Sequence, residues 1–269
     1  MQEFQRLSRR SALILGAASL LATTTAARAA PITIRVGATP GPLAEALEAA
    51  KPVALKQGLD IQVIEFSDYV IPNAALDAGE IEANAFQNQP YLDNQIRDRG
   101  YKIVGVAPIV NSRLGVYSRK YKDWAAVPEG GTIAIQNDPT NGGRTLLLLR
   151  DKGAISLKDG VGYKPTVADI TGNTKNLRFI EVEAAQTPRS LDDVDAAAVN
   201  ANYAVTAGLD PTKEALLLEE LKPQYTNLIA VRTEDKDKPW VPLLVAAYRS
   251  PEVKAYVLDK FKGAYVPTW

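Results

Sequence analysis

Strand patterns alternate with helix patterns along most of the chain, and this alternation restricts the fold to the α/β class. Residues 32–36 alternate apolar and polar side chains, and a turn rich in glycine and proline then leads into a helix pattern that contains Leu43 and Leu47. Alternating strands and helices form a sheet with crossover connections. The predicted strands up to residue 107 are 32–36, 60–66, 83–86 and 103–107, and further helices are predicted at 73–77 and 91–99.

Pro52 lies inside the first helix pattern and predicts a kink or an early end of that helix.

The alternation stops near residue 112 and begins again at residues 132–136, which predicts a second α/β lobe. A chain of this length approaches the size at which one hydrophobic core divides into two. The later predicted elements are an apolar helix that stops at Gly153, strands at 177–182, 195–199 and 227–231, and closing helices at 240–248 and 250–261. We predict one lobe of residues 30–111 and 233–269, and a second lobe of residues 112–232.

The first 29 residues have the pattern of a cleaved export signal. Arg9 and Arg10 precede the apolar run 11–22, and Ala27-Arg28-Ala29 follows it. The run is too short to span a bilayer. Ser8-Arg9-Arg10 resembles a twin-arginine signal, and export of the unfolded chain is the alternative. Because the sequence has no cysteine to carry a lipid, we expect a soluble periplasmic protein.

The composition argues against most kinds of enzyme. The chain has no histidine and no cysteine, which removes the commonest general base, the thiolate nucleophile and most transition-metal sites. Nucleotide-binding glycine motifs and the nucleophile motif of serine hydrolases do not occur either. A net charge of zero gives no electrostatic footprint for nucleic acid. We therefore expect a binding protein with no cofactor, no metal and no nucleic-acid partner.

Two other classes of protein stay open. One is a lyase or dehydratase that uses carboxylates on the same fold, and its mark would be an acidic residue in the cleft with a raised pKa. The other is a scaffold without a ligand.

Residues 137–144 place a strand end, a turn and a helix start in succession, with Arg144 in the predicted first turn. Free backbone N–H groups at a helix start attract anions, and arginine adds a bidentate partner for a carboxylate. The segment therefore indicates a carboxylate site. A surface ion pair between Arg144 and Asp138 is the alternative.

Three aromatic residues, Tyr69, Phe86 and Tyr91, lie near predicted strand ends, where open α/β sheets bind ligands. They could enclose an apolar or thioether side chain, and core packing is the alternative interpretation. Asn202 and Asn227 flank predicted strand ends of the second lobe and could meet an ammonium and a carboxylate group, or could simply be turn residues.

Several motifs together resemble the MetQ/NlpA family of methionine-binding proteins. The resemblance runs in order from Ile34 to Trp269. The motifs are FSDYVIPN at 66–73, EANAFQ at 82–87, PYL at 90–92, NDPTN at 137–141 followed by Arg144, RSL at 189–191, NANYA at 200–204, and the tail with FKG at 261–263 and VP at 266–267.

This resemblance implies a bilobed periplasmic solute-binding fold of type II, in which a two-strand hinge joins two α/β lobes. It also implies that methionine is held between the lobes and handed to an importer made of a permease and a cytoplasmic ATPase. The roles that it implies are Arg144 as carboxylate clamp, Asn202 and Asn227 as polar contacts, Asn141 as a further contact, and Tyr69, Phe86 and Tyr91 as the side-chain pocket.

The sequence departs from the family pattern at three places. Asn88 stands where the family usually has a pocket histidine, Leu43 replaces another histidine, and Ser112-Arg113 replaces Glu-Pro. An amide donates and accepts hydrogen bonds but does not titrate. We expect L- or D-methionine or a close analogue as the ligand, with Asn88 among the contacts. We also expect a monomer, because the protein must open and close. A different amino acid or a methionine-containing dipeptide is the alternative ligand.

Overall fold

The computed structural model of the chain describes residues 30–269, and the predicted signal peptide, residues 1–29, lies outside the described residues. The helices are α1 Pro42–Lys56, α2 Ile71–Asp77, α3 Gln89–Arg99, α4 Pro139–Asp151, α5 Thr187–Ser190, α6 Ala201–Thr206, α7 Trp240–Tyr248 and α8 Pro251–Phe261. The strands are β1 Ile32–Ala38, β2 Leu59–Glu65, β3 Ala83–Asn88, β4 Ile103–Pro108, β5 Val110–Ser112, β6 Gly115–Tyr117, β7 Thr132–Gln136, β8 Ser156–Leu157, β9 Ile170–Gly172, β10 Arg178–Val182, β11 Ala196–Val199, β12 Leu217–Leu218, β13 Asn227–Arg232 and β14 Tyr265–Pro267. In this described range, no helix has both the length and the apolar character needed to cross a bilayer.

The first sheet contains five strands in the order β2-β1-β3-β13-β4. β1 pairs in parallel with β2 and β3, whereas β13 runs antiparallel to both of its neighbours. The side chains of Ile34 and Val36 in β1 are buried against the apolar face of α1, which presents Leu43 and Leu47. Helices α7 and α8 complete the same core. This arrangement explains why α1 has an amphipathic pattern.

The second sheet also contains five strands, in the order β10-β7-β11-β6-β12. β7 is parallel to β10 and β11, and β6 is antiparallel to β11 and β12. The leucines of α4, including Leu146 and Leu149, pack with Ile133 and Ile135 of β7 in a separate core. Each sheet therefore has its own helices and its own core, and the prediction of an α/β fold with two lobes is confirmed.

The predicted position of strand β13 in the second lobe is wrong. This strand lies inside the first sheet, where it pairs with β3 and with β4. Residues 228–231 are buried, as the apolar pattern predicts. An apolar pattern indicates a central strand but carries no information about which sheet receives it, because that choice depends on pairing with distant residues.

Two segments connect the sheets, and we call them the hinge segments: residues 109–114, between β4 and β6, and residues 219–226, between β12 and β13. They are hydrogen-bonded to each other. The side-chain N–H of Asn111 donates to the carbonyl of Lys222 at 2.9 Å, and the backbone N–H of Glu219 donates to the carbonyl of Leu114 at 3.0 Å. The hinge segments thus form one paired unit that connects the two sheets.

Most predicted elements are confirmed, including α8, where the Ser250 hydroxyl caps the helix by accepting a hydrogen bond from the N–H of Val253. Two details differ. Helix α1 does not end early at Pro52 but continues to Lys56, because Ala50 and Ala54 stay buried against the core on either side of the proline. Helix α4 begins at Pro139, so Arg144 lies in the second turn and not in the first.

Two consecutive glycines allow α4 to pack closely on both sides of its start. A Cβ atom at Gly142 would lie 2.6 Å from the carbonyl oxygen of Gln136 at the end of β7. One at Gly143 would lie 2.8 Å from the Cα of Lys164 and 2.9 Å from the carbonyl oxygen of Tyr163. All three neighbours are backbone atoms, which cannot move aside as a side chain can.

Gly142→Ala and Gly143→Ala should each lower the free energy of unfolding by about 1–3 kcal/mol through overpacking. At an open helix position the same change would raise stability by up to about 1 kcal/mol. Urea denaturation at equilibrium measures the difference. Unchanged or increased stability would show that the neighbouring backbone moves without cost.

Candidate ligand-binding site

Five of the eight predicted site residues line one cavity between the lobes. The cavity has a volume of about 30 Å³, and its lining residues are Tyr69, Phe86, Gln87, Asn88, Tyr91 and Asn141. Only Gln87 in this set was not predicted. A second cavity of about 300 Å³ shares Tyr69 and Tyr91 with the first. Together the two cavities form a cleft with walls from both lobes, since Asn141 belongs to α4 and the other lining residues of the first cavity to the first lobe.

The aromatic residues form a contiguous wall on the first lobe. The ring centroid of Tyr69 lies 5.9 Å from that of Phe86 and 6.0 Å from that of Tyr91. The hydroxyl of Tyr91 donates a hydrogen bond to the carbonyl oxygen of Tyr69 at 2.9 Å. Burial raises the pKa of both tyrosines far above the usual range, so both phenols stay neutral. The rings of Phe86 and Tyr91 belong to the core of the lobe and the ring of Tyr69 packs against it, so the same residues serve packing and the cleft.

Tyr69 connects the two lobes across the cleft. Its hydroxyl donates a hydrogen bond of 2.6 Å to the side-chain oxygen of Asn202 in α6. Its ring lies 5.0 Å from the ring of Tyr203, whose hydroxyl donates to the carbonyl oxygen of Ser67 at 3.1 Å. The predicted residue Asn202 lines neither cavity, but its side-chain oxygen takes part in a contact between the lobes beside Tyr69.

Two further predicted asparagines lie side by side in the first sheet. Asn227 is paired with Asn88 in the register between β13 and β3. The side-chain oxygen of Asn88 caps α3 by accepting from the N–H of Tyr91 at 3.0 Å, and the side-chain N–H of Asn227 donates to the carbonyl oxygen of Phe86 at 2.7 Å. Asn227 is thus a strand residue of the first lobe and not a turn residue of the second.

Asn141 is held by an amide network at the start of α4. Its side-chain N–H donates to the carboxylate of Asp138 at 2.9 Å, and its side-chain oxygen accepts from Asn200 at 2.9 Å. The oxygen of Asn200 in turn accepts from Gln136 at 2.9 Å. These bonds fix the position of Asn141 on the cleft wall.

Arg144 does not line either of the two cavities and is only 4% exposed. The alternative ion pair with Asp138 is wrong, because the guanidinium group pairs with Glu219 at 2.5 Å. Asp138 is instead the N-cap of α4. The sequence pattern did not predict Glu219, which lies 75 residues away along the chain.

Asp138 lines the larger cavity, and the sequence pattern did not predict this position in the cleft. The larger cavity is lined by the carboxylates of Asp68, Asp138 and Glu183 and by no basic side chain. Burial raises the pKa of the Asp138 carboxyl, and hydrogen bonds from the backbone and side chain of Asn141 and from the N–H of Thr140 oppose this shift only in part. The cleft therefore favours a positively charged group.

Two α/β lobes, paired hinge segments and a cleft lined by aromatic and amide side chains are the features of the bilobed solute-binding proteins. The chain belongs to the NlpA lipoprotein family, whose model matches residues 34–269.

The similarity to individual relatives covers nearly the same range. The chain is 46% identical to the D-methionine-binding lipoprotein MetQ of Escherichia coli (strain K12) over 89% of each chain. A nutrient binding protein from Burkholderia cenocepacia, solved bound to methionine, has 52% identity and a TM-score of 0.86, with 88% of this chain and 100% of that chain covered. A periplasmic substrate-binding protein of an ABC transporter from Coxiella burnetii has 43% identity and a TM-score of 0.83, with coverage of 87% and 100%.

These names contradict the predicted localisation. The sequence predicted a soluble periplasmic protein without a lipid anchor, whereas the matched family and the Escherichia coli relative are lipoproteins by name. The predicted family and fold class are confirmed by the same comparisons.

Asp138→Asn tests whether the cleft carboxylate destabilises the fold. Asparagine caps a helix as well as aspartate does, but its N–H2 group replaces the carboxylate oxygen that accepts from the side chain of Asn141. Because the folded-state pKa of Asp138 is raised, the stability that comes from the protonated form is lost as the pH rises through that pKa. The stability of the variant relative to the wild-type protein should therefore increase as the pH rises from about 4 to neutrality. Thermal unfolding across this pH range measures the difference, and a difference that does not change with pH would contradict the inference.

Proposed function

We propose that the protein is the substrate-binding component of an ABC importer, that it captures methionine between its two lobes as a monomer, and that it delivers the ligand to a membrane permease with a cytoplasmic ATPase. One observation carries the proposal. Five of the eight residues that the sequence predicts for ligand binding line a single cavity between the lobes. A relative of 52% identity was solved bound to methionine.

The cleft offers a chemically suitable surface to each part of methionine. Tyr69, Phe86 and Tyr91 supply aromatic faces and edges, and these make favourable contacts with a thioether sulfur. Asp68, Asp138 and Glu183 give the larger cavity an acidic lining that suits the α-ammonium group. For the α-carboxylate we propose Arg144, with amide contacts from Asn88, Asn141, Asn202 and Asn227.

Capture works by closure of the lobes around the ligand. A ligand shifts the equilibrium towards the closed form only by its differential affinity for that form. Tyr69 and Asn202 already meet across the cleft, so a ligand beside them gains contacts from both lobes at once. We propose that residues 30–111 and 233–269, with β13 added to them, move as one body against the rest of residues 112–232.

One observation bears on the enzyme alternative. Asp138 is an acidic residue in the cleft with a raised pKa, which is the mark expected of a carboxylate-dependent lyase. Its carboxylate accepts hydrogen bonds from Thr140 and Asn141 as a helix cap, and this structural role accounts for its presence. The relatives are binding proteins by name, and we propose binding without chemical change of the ligand.

Titration calorimetry against L-methionine, D-methionine, the other amino acids and methionine-containing dipeptides tests the proposal. We expect the methionine enantiomers to bind most tightly, and mass spectrometry should recover the ligand unchanged. If none of these compounds binds, the proposal is wrong, and tight binding of another amino acid would assign the protein to a different ligand.

Arg144→Gln should weaken methionine binding by about 2–5 kcal/mol, since it leaves a desolvated ligand carboxylate without its partner. Arg150→Gln is the matched control, because Arg150 lies on the same helix but pairs with Asp151 at the surface. Calorimetry of both variants makes the comparison. Equal affinities for the two variants would remove Arg144 from the site.

A further inference from the structure

Glu219 is a buried carboxylate that the proposed ligand contacts do not use. It lies in the second hinge segment and is 2% exposed. A buried charge is costly unless it is paired and hydrogen-bonded. The partners of Glu219 therefore indicate what it does.

Glu219 binds one edge of the Arg144 guanidinium group. Nε of Arg144 lies 3.1 Å from each carboxylate oxygen, and Nη2 lies 2.5 Å from one of them. The same Nη2 donates to the carbonyl oxygen of Ser112 in the first hinge segment at 3.0 Å. The ring of Tyr225 lies against the face of the guanidinium group, 4.1 Å from its central carbon. One edge and one face of the guanidinium group are thus fixed.

The contacts among the described residues engage Nε and Nη2 of Arg144 and give no hydrogen-bond partner to Nη1. Arg144 follows the cavity residue Asn141 by one turn of α4. Residues three apart on a helix lie on the same side. The remaining edge of the guanidinium group is therefore the one that can meet a ligand.

We propose that Glu219 is a positioning residue that holds Arg144 ready for the carboxylate of the ligand. This inference rests on the proposed function, in which Arg144 binds that carboxylate. An arginine side chain is flexible, and its loss of rotamer freedom on binding lowers the affinity for the ligand. A partner that fixes the planar guanidinium group before the ligand binds reduces this cost. Because Glu219 and Ser112 belong to the two hinge segments, the position of the clamp is tied to the segments that connect the lobes.

Glu219→Gln tests the role with two ligands. Glutamine keeps the size of the side chain but presents an N–H2 donor where one carboxylate oxygen accepted, so it no longer matches the fork of Arg144. Calorimetry compares L-methionine with L-methioninamide, in which a neutral amide replaces the carboxylate. We expect the variant to bind methionine about tenfold more weakly and methioninamide almost unchanged, so that the preference of the wild-type protein for methionine falls.

Glu82→Gln is the matched control. Glu82 accepts hydrogen bonds from Nε and Nη2 of Arg35 in the same manner. It lies just before the first residue of β3, whereas the cleft is at the last residue of this strand. The control should leave the affinities for both ligands unchanged.

Equal losses for methionine and methioninamide would show that Glu219 supports only the fold and would overturn the inference, as would an unchanged or higher affinity for methionine. If the single variant does not fold, Arg144→Gln is compared with the double variant Arg144→Gln/Glu219→Gln, which buries no unpaired charge. If the two variants prefer methionine over methioninamide to the same extent, Glu219 acts through Arg144. If the double variant loses more of this preference than Arg144→Gln does, the inference is overturned. A wild-type protein that binds no methionine would refute the proposed function itself, and the role of Glu219 with it.

Discussion

The buried ion pair between Arg144 and Glu219 is the contact that holds α4 to the hinge segments. It joins the helix that begins at the cleft to both segments that run between the sheets. Both side chains are almost completely buried, and removal of one partner from such a pair costs about 3–5 kcal/mol. The Tyr225 ring and the backbone of Leu114 add to the same cluster. Buried contacts therefore hold α4 to the hinge segments, whereas Tyr69 and Asn202 form a direct contact between the lobes.

The chemistry of the cleft follows from a chain without histidine. Its polar groups are amides, phenols and carboxylates, and burial raises the pKa of the phenols of Tyr69 and Tyr91 still farther above neutrality. The one group with a pKa shifted towards neutrality is Asp138, whose hydrogen bonds with α4 hold it in place. Asn88 is held in place as the cap that accepts from the N–H of Tyr91 at the start of α3.

Local patterns predicted most elements, although the kink or early end at Pro52 and the place of Arg144 in the first turn of α4 were wrong. Tyr69, Phe86 and Tyr91 were predicted from strand ends and line one cavity, because residues at the ends of neighbouring strands meet at one edge of a sheet. Asn88 and Asn141 line the same cavity, and they were predicted from the family resemblance. Contacts between distant segments were not predictable in the same way. The partner of Arg144 and the sheet that receives β13 depend on pairing across the chain, and a single sequence contains no periodic pattern that reports such pairing.

The place of β13 has a consequence for the order in which the chain can fold. Strands β3 and β4 are neighbours of β13 but not of each other, so the first sheet stays split until the residues after the whole second lobe are available. Until then, both strands present unpaired edges, which are prone to associate with other chains. The second lobe has no such dependence, because all five strands of its main sheet lie between residues 115 and 218. It can therefore form first, and the first sheet closes only when β13 joins these distant segments.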